Sequence, residues 1–438
     1  MRFPDAVHLP SGAGRAAVVV AAAMWFGALG GSVVRVSAAA GLVGITAVVA
    51  AISRTRVAVV FLIIAIGTVS GALGVARRDA VLETSIPQGP GVISGVATTD
   101  ALPFGERHRF VLAPAVWQAD GGAPVSWPGP AIQVVADTDD VVAGDRLICR
   151  GLLRSEPGYV RGDPVAGRFS ARIVKREASA DQPFIAAGNM VRARVQSRVS
   201  ILGDTPGAAL LSGFLIGDIA DLPPDDEEAL RRSGLTHFVA VSGSNVALVL
   251  GAWWLLVGPL GAGTRVRAVT GLLVLMVFVV ATRWESSVIR AATMAALVLG
   301  GRAVAVPLDA WTALGAAVTI LLAVSGDLAF DIGFQLSVVA TAGVLGGMRL
   351  WRDRRPRVFW GALAATAGAQ LAVVPVLLVH FGTVPLLSPI ANLLVAPLVT
   401  VATGLAGVGV AVSWNTPLVL GEHVANWILG VARIAGEW

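Results

Sequence analysis

The chain has 438 residues, 55% of them apolar and only 14% charged, with a mean hydropathy of +0.76. That balance excludes an ordinary soluble domain and points to a polytopic membrane protein. The net charge of +5 rests almost wholly on arginine, since Lys175 is the one lysine, and Cys149, the one cysteine, excludes an intramolecular disulfide or a cysteine zinc cluster.

The chain opens on a polar lead without a small-residue cleavage site, so its first apolar run is predicted to be retained as a span rather than removed as a signal peptide. Apolar runs at 16–32, 37–52 and 57–75 make residues 1–76 an N-terminal transmembrane region. Residues 77–183 change character. Pro/Gly turns there separate short alternating stretches at 108–114, 131–137, 145–153 and 168–176, the period-2 signature of a small β-barrel or sandwich. Residues 184–234 are predicted to be amphipathic or interfacial helices, with the short apolar run 206–220 lying along the membrane interface. From 235 to 438 spans are predicted near 235–259, 267–282, 287–304, 308–325, 332–348, 358–380, 384–398, 399–413 and 418–434. The predicted fold class is a polytopic α-helical membrane protein with an inserted extracytoplasmic β-domain.

Orientation follows from the arginines. With the amino terminus in the cytoplasm, Arg54, Arg56, Arg265, Arg267, Arg302 and the cluster Arg349, Arg352, Arg354, Arg355 and Arg357 fall inside. Outer loops then hold Asp327 and Asp331, with Arg35, Arg77 and Arg78 as exceptions. The positive-inside rule favours this arrangement and puts the β-domain outside.

The most informative segment is GLTHFVAVSGSNVALVLG at 234–251. The apolar stretch from Val246 to Leu260 has fifteen residues, a rise of about 22 Å, against a hydrocarbon core of about 30 Å. A spanning helix must therefore draw His237, Ser242, Ser244 and Asn245 to membrane depth, where polar groups usually line a cavity or pathway. Gly243 and its neighbours suit a helix break; the competing reading is a small-residue packing patch. His237 is a candidate for a phosphate contact or gate, or else a helix-entry histidine bonded to backbone. Three further polar insertions follow. Ser286, Ser287 and Arg290 put a cation about a turn into a span; Asp331, Gln335 and Ser337 form the second; His380 and Asn392 flank a Pro-rich stretch. Arg290 is the sharpest of these, because a charge inside a span costs at least about 2.5–3.5 kcal/mol. Its alternatives are contact with a passing phosphate or an ion pair with Glu285, Asp327 or Asp331. For Gln335 and Ser337 the bland reading is a hydrogen-bonded cross-link between helices.

Taken in order, ALLSGFLIGD with LP at 222–223, GLTHFVAVSGSNV, SSVIRA, GR at 301–302, GFQLS and NLLVAPL resemble the ComEC family of competence DNA-internalisation channels. The resemblance implies an inner-membrane channel that takes up single-stranded DNA in natural transformation. It also implies that the soluble stretch, with GDRLICRGLLRSEP, is an OB-like barrel. On this reading His237, Ser242, Ser244, Asn245, Arg290 and Gln335 line the DNA pathway. Partners would be the lipid bilayer, a DNA receptor outside, and a helicase or strand-binding protein in the cytosol.

A weaker DNA contact on the β-domain would use Arg150, Arg154, Arg161, Arg168 and Arg172, with Tyr159 or Trp127 for base stacking. Acidic side chains offset the basic ones across that domain, so a local patch would be required. Many members of the family end in a metallo-β-lactamase-like domain, whose HxHxDH signature is absent from this sequence. No metal, cofactor or nuclease is therefore expected here, and strand degradation would fall to a separate nuclease or to a part of the protein beyond this chain. No P-loop GxxxxGK[ST] occurs either, so transport would need an external driver. Two alternatives stay open. One is a transporter of another anionic polymer or a small solute on the same scaffold. The other is a membrane hydrolase using Ser242 or Ser244 with His237. The latter would need the helix to break, because residues five apart lie about 140° from each other on a regular helix.

Overall fold

The computed structural model describes residues 12–34, 36–53, 56–127, 129–160, 162–239, 241, 243–350, 357–382 and 388–437. The chain divides into two compact units, one formed by Met1–Leu73 with Ala193–Trp438 and the other by Gly74–Arg192.

Three helices come first: α1 (Gly12–Gly30), α2 (Val36–Ser53) and α3 (Arg56–Glu83). Nine strands follow. They are β1 (Gly89–Ala97), β2 (Leu102–Phe104), β3 (Arg107–Ala119), β4 (Val125–Ser126), β5 (Ile132–Ala136), β6 (Arg146–Arg154), β7 (Gly158–Val160), β8 (Asp163–Val165) and β9 (Arg168–Ala178). The remaining helices are α4 (Pro183–Val199), α5 (Pro206–Ile216), α6 (Pro224–Arg232), α7 (Thr236–Val239), α8 (Gly243–Val257), α9 (Thr264–Ala281), α10 (Ser286–Ala303), α11 (Ala310–Val324), α12 (Ile332–Leu350), α13 (Arg357–Phe381), α14 (Ser388–Ala411) and α15 (Asn415–Gly436).

Among the described residues, eight helical stretches are long and apolar enough to cross a membrane: those of α1, α3, α7 with α8, α9, α12, α13, α14 and α15. The protein is thus a polytopic helical membrane protein with a β-domain. Helices of this unit meet through glycine faces. A Cβ on Gly347 of α12 would lie 2.1 Å from the Ala364 carbonyl oxygen of α13, and one on Gly343 would lie 2.3 Å from that of Gly368. Lipid supplies no hydrophobic drive between helices, so such close backbone approach, which lets van der Waals contact add up, is what holds the pair. Met24 and Ala28 of α1 pack with Leu314, Val318 and Leu322 of α11 and Phe334 of α12 in one buried cluster, where Trp25 and Phe334 stack at 5.4 Å between centroids.

One predicted feature is corrected. The runs 384–398 and 399–413 are not two short spans: from Ser388 onward they are a single 24-residue helix, α14, with Pro397 inside it. Pro397 removes one donor to the helix ladder, but neighbouring helices let a membrane helix tolerate that loss, and Pro389 sits in the first turn, where no donor is needed. The 206–220 run, expected along the membrane interface, is packed against other helices of its unit. Eight of the eleven residues of α5 are buried, in a core shared with α14 and α15. A helix apolar on all sides satisfies itself only in such a position. Its ends are closed locally, with Thr205 Oγ1 accepting from the Ala208 amide and Gly217 in the left-handed region at φ 71°.

In the β unit, four of the long strands contain the alternating stretches seen in the sequence. β1 pairs antiparallel with β6 on one edge and with β3 on the other, β6 pairs with β9, β5 pairs with β3, and β5 and β9 run parallel. The strand pairing therefore returns to β1. The β5–β9 seam holds only three residue pairs, so the expected barrel is a rolled mixed sheet rather than an evenly closed one. Inside it Ile93, Phe110, Leu112, Ile132, Leu147, Leu153 and Phe169 are fully buried. Cys149 joins that core, and burial pushes its thiol up to about 12, so it is held as an unreactive apolar side chain.

Candidate functional site: a polar belt across the helical unit

Chain direction changes at Gly234, whose φ of 73° only glycine adopts readily. A single helical turn, α7, follows; Val241 is non-helical, and α8 is described from Gly243. Ser242 lies outside the described residues. Helix ends leave backbone groups without partners, which is costly at membrane depth. Here side chains from other helices take them up. Ser287 Oγ of α10 donates to the Val241 carbonyl at 2.6 Å. Asn245 Nδ2 of α8 donates to the Phe214 carbonyl, in the last turn of α5, at 2.7 Å. Asn245 is only 5% exposed, so this bond is its anchor inside the unit.

His237 Nδ1 donates to the Gly234 carbonyl at 3.0 Å, and its ring lies 4.2 Å from that of Phe238. That is the backbone-bonded helix-entry arrangement, on an exposed side chain. Ser244 is exposed in the first turn of α8.

Arg290 sits one turn into α10 and is 6% exposed. Its Nε donates to Ser337 Oγ of α12 at 2.8 Å and its Nη1 lies 3.3 Å from Met294 Sδ. Its Nη2 would stand 3.3 Å from a Cβ on Gly243, so the absence of a side chain there makes room for the guanidinium at the mouth of the break. Among the described residues no carboxylate pairs with Arg290. Asp331, weighed as its partner, is engaged elsewhere. Its Oδ1 accepts the Phe334 amide at 2.6 Å and caps α12. Among the described residues, a buried cation is thus held by a hydroxyl and a thioether.

Gln335, two residues before Ser337, donates from Nε2 to the Ala329 carbonyl at 2.8 Å and accepts from His380 Nε2 of α13 at 2.8 Å. Gln335 therefore cross-links helices, and through it His380 joins the belt, which now reaches from α5 through α8, α10 and α12 to α13. Neither the Arg290–Ser337 nor the Gln335–His380 contact has a signature in sequence, since the partners stand 47 and 45 residues apart.

The β unit gives a different result for its candidates. Trp127 is 7% exposed, with its indole nitrogen donating to the Pro130 carbonyl at 3.1 Å; it is a core residue and not a stacking platform. Arg150 pairs with Asp120 at 3.2 Å, and Arg154 and Arg168 share Glu156 at 3.5 and 3.8 Å. Arg172 and Tyr159 are exposed, and Arg161 lies outside the described residues. An aromatic that the sequence did not single out, Phe104, carries the guanidinium groups of Arg109 and Arg168 at 5.0 and 5.4 Å from its centroid. The strand order β2-β3-β5-β9 assembles that stack, which no local motif announces.

Residues 214–438 match the family model described as "Competence protein". The matched region starts at Phe214, the carbonyl that Asn245 holds, and contains the whole belt. The ComE operon protein 3 of Bacillus subtilis (strain 168) is 24% identical over 210 residues, covering 48% of this chain and 27% of the relative. The chain thus spans about a quarter of the length of that curated relative. No solved structure matches.

Proposed function

The chain belongs to the competence protein family, and on that premise we propose that it serves DNA uptake in natural transformation, its helical unit conducting a single strand across the cytoplasmic membrane. The observation that carries this reading is Arg290, a buried cation beside a helix break with no carboxylate partner among the described residues. An unneutralised charge at that depth is costly to keep, and a passing phosphate is the partner that would offset the cost. His237, Ser244, Asn245 and Gln335 then stand around the same path, and Ser242, next to Gly243 in sequence, is proposed to join them. Asn245 and Gln335 hold the helices apart at fixed spacing, and His237 and Ser244 face the open side.

The arginine distribution supports an extracytoplasmic β-domain and a cytoplasmic amino terminus. The β-domain then meets incoming DNA handed on by an outer receptor, through Arg172, Tyr159 and the Phe104 stack rather than through a broad basic face. A cytosolic helicase or strand-binding protein draws the strand inward, and a separate nuclease removes its complement.

The test is deletion of the gene in a naturally competent host. Transformation is expected to be lost while DNA still binds the cell surface. Unchanged transformation would overturn the reading, and loss of surface binding as well would assign the protein to capture instead of transport.

A further inference from the structure

We propose that the cleft between α1, α11 and α12 holds the headgroup and upper acyl chains of an anionic phospholipid. The cleft has a volume of about 610 Å³ and is lined by Arg15, Val19, Trp311, Gly346, Arg349 and Leu350 among others. Arg15 lies in the first turn of α1, Trp311 in the first turn of α11, and Arg349 in the last turn of α12. Two helix starts and one helix end therefore meet at a single level, which for membrane-spanning α1 and α12 is the boundary between hydrocarbon and headgroups.

Two arginines and a tryptophan border the cleft. Neither Arg15 nor Arg349 has a carboxylate partner among the described residues. The Trp311 indole N–H is buried without a hydrogen-bond partner, whereas the Trp311 backbone amide is taken by Asp309 at 3.0 Å. A buried N–H left without a partner costs free energy, which a shift of the indole toward a phosphate or ester oxygen in the cleft would recover. Below the donors the walls are apolar. Val18 is 37% exposed and Val19 51% exposed, surfaces that suit hydrocarbon. A Cβ on Gly346 would meet nothing within 4 Å, so the position is open where an acyl chain would enter.

Charge and hydropathy together select the occupant. Free phosphate would leave the walls uncovered, and so would a nucleic acid strand; a zwitterionic lipid would set its own cation against two arginines. An anionic lipid matches both parts, and sequence adds to the match, since Arg352, Arg354, Arg355 and Arg357 follow Leu350 with only Asp353 opposing them.

The experiment uses the purified full chain, delipidated in neutral detergent and titrated with phosphatidylglycerol, phosphatidylcholine or inorganic phosphate. Thermal stability and native mass spectrometry are the readouts. Phosphatidylglycerol is expected to raise the melting temperature and to remain bound as a single adduct. R15Q/R349Q is expected to bind it about 30-fold more weakly, the loss of two surface cations. Should that variant fail to accumulate, W311F and R15K/R349K decide: the lysine pair keeps the adduct and W311F weakens it. Equal protection by phosphatidylcholine, protection by phosphate alone, or an undiminished adduct in both R15Q/R349Q and W311F would overturn the proposal.

Discussion

Arg290→Ala is expected to lower transformation by about 10- to 100-fold while the protein stays in the membrane at wild-type amount. The range is the loss of one charge-assisted hydrogen bond to a phosphate. The amount follows from burial. Arg290 is 6% exposed, and its contacts among the described residues are Ser337 Oγ and Met294 Sδ, with no carboxylate among those residues left behind when it is removed. Removing one member of a buried ion pair strands its partner and destabilises a fold, but here no partner of opposite charge is stranded. Taking a cation out of a span relieves a cost of about 2.5–3.5 kcal/mol. Arg290→Lys keeps the charge but loses the Nε donor to Ser337, so an intermediate frequency is expected. Transformation frequency set against membrane immunoblots checks wild type and both variants. Wild-type transformation in Arg290→Ala would reduce Arg290 to a packing residue, and loss of the protein itself would make it structural.

Gly347→Val is expected to have the opposite profile, with folded protein falling at least about 5-fold and any protein that remains still active. The new Cβ would stand 2.1 Å from the Ala364 carbonyl oxygen, a backbone atom that moves only if α12 and α13 separate. Overpacking of this kind costs about 1–3 kcal/mol and sometimes more, a large share of a marginal stability. Gly361→Val on α13 is the control, since a Cβ there meets nothing within 4 Å. Size-exclusion chromatography of a fluorescent fusion separates the two variants. Equal monodisperse yield from both would mean that α12 and α13 are not held by close backbone contact.

How much of this was legible in the sequence depends on whether the determinant was local. The recruitment of polar residues into the span could be read because fifteen apolar residues cannot cross a bilayer, and the apolar stretch does extend back to Thr236. Arg290 could be read as a cation inside a helix, but its setting could not. Its contact Ser337 and the space at Gly243 come from other helices, and the weighed carboxylate Asp331 turned out to cap α12. Strands β3, β5, β6 and β9 alternate clearly; β1, with the sequence GPGVISGVA, does not, because three glycines and a proline dilute its pattern. Trp127 shows the limit of residue type. An aromatic suited to stacking is as well suited to a core, and the Pro130 carbonyl beside its indole nitrogen decided between them. The α14 misreading has the same root: Pro397 signals a helix end in water, and a crowded bundle overrules it.

The central claim is that a DNA strand passes along the polar belt. It is tested most directly by placing a photo-crosslinking residue at 244 or 380, both exposed beside the belt, and illuminating competent cells during uptake of labelled DNA. Position 255 serves as the control, a leucine 71% exposed on α8. Crosslinks to single-stranded label from 244 and 380, and none from 255, are the expected result. No crosslink from either belt position, or equal crosslinking from 255, would contradict a path through this site.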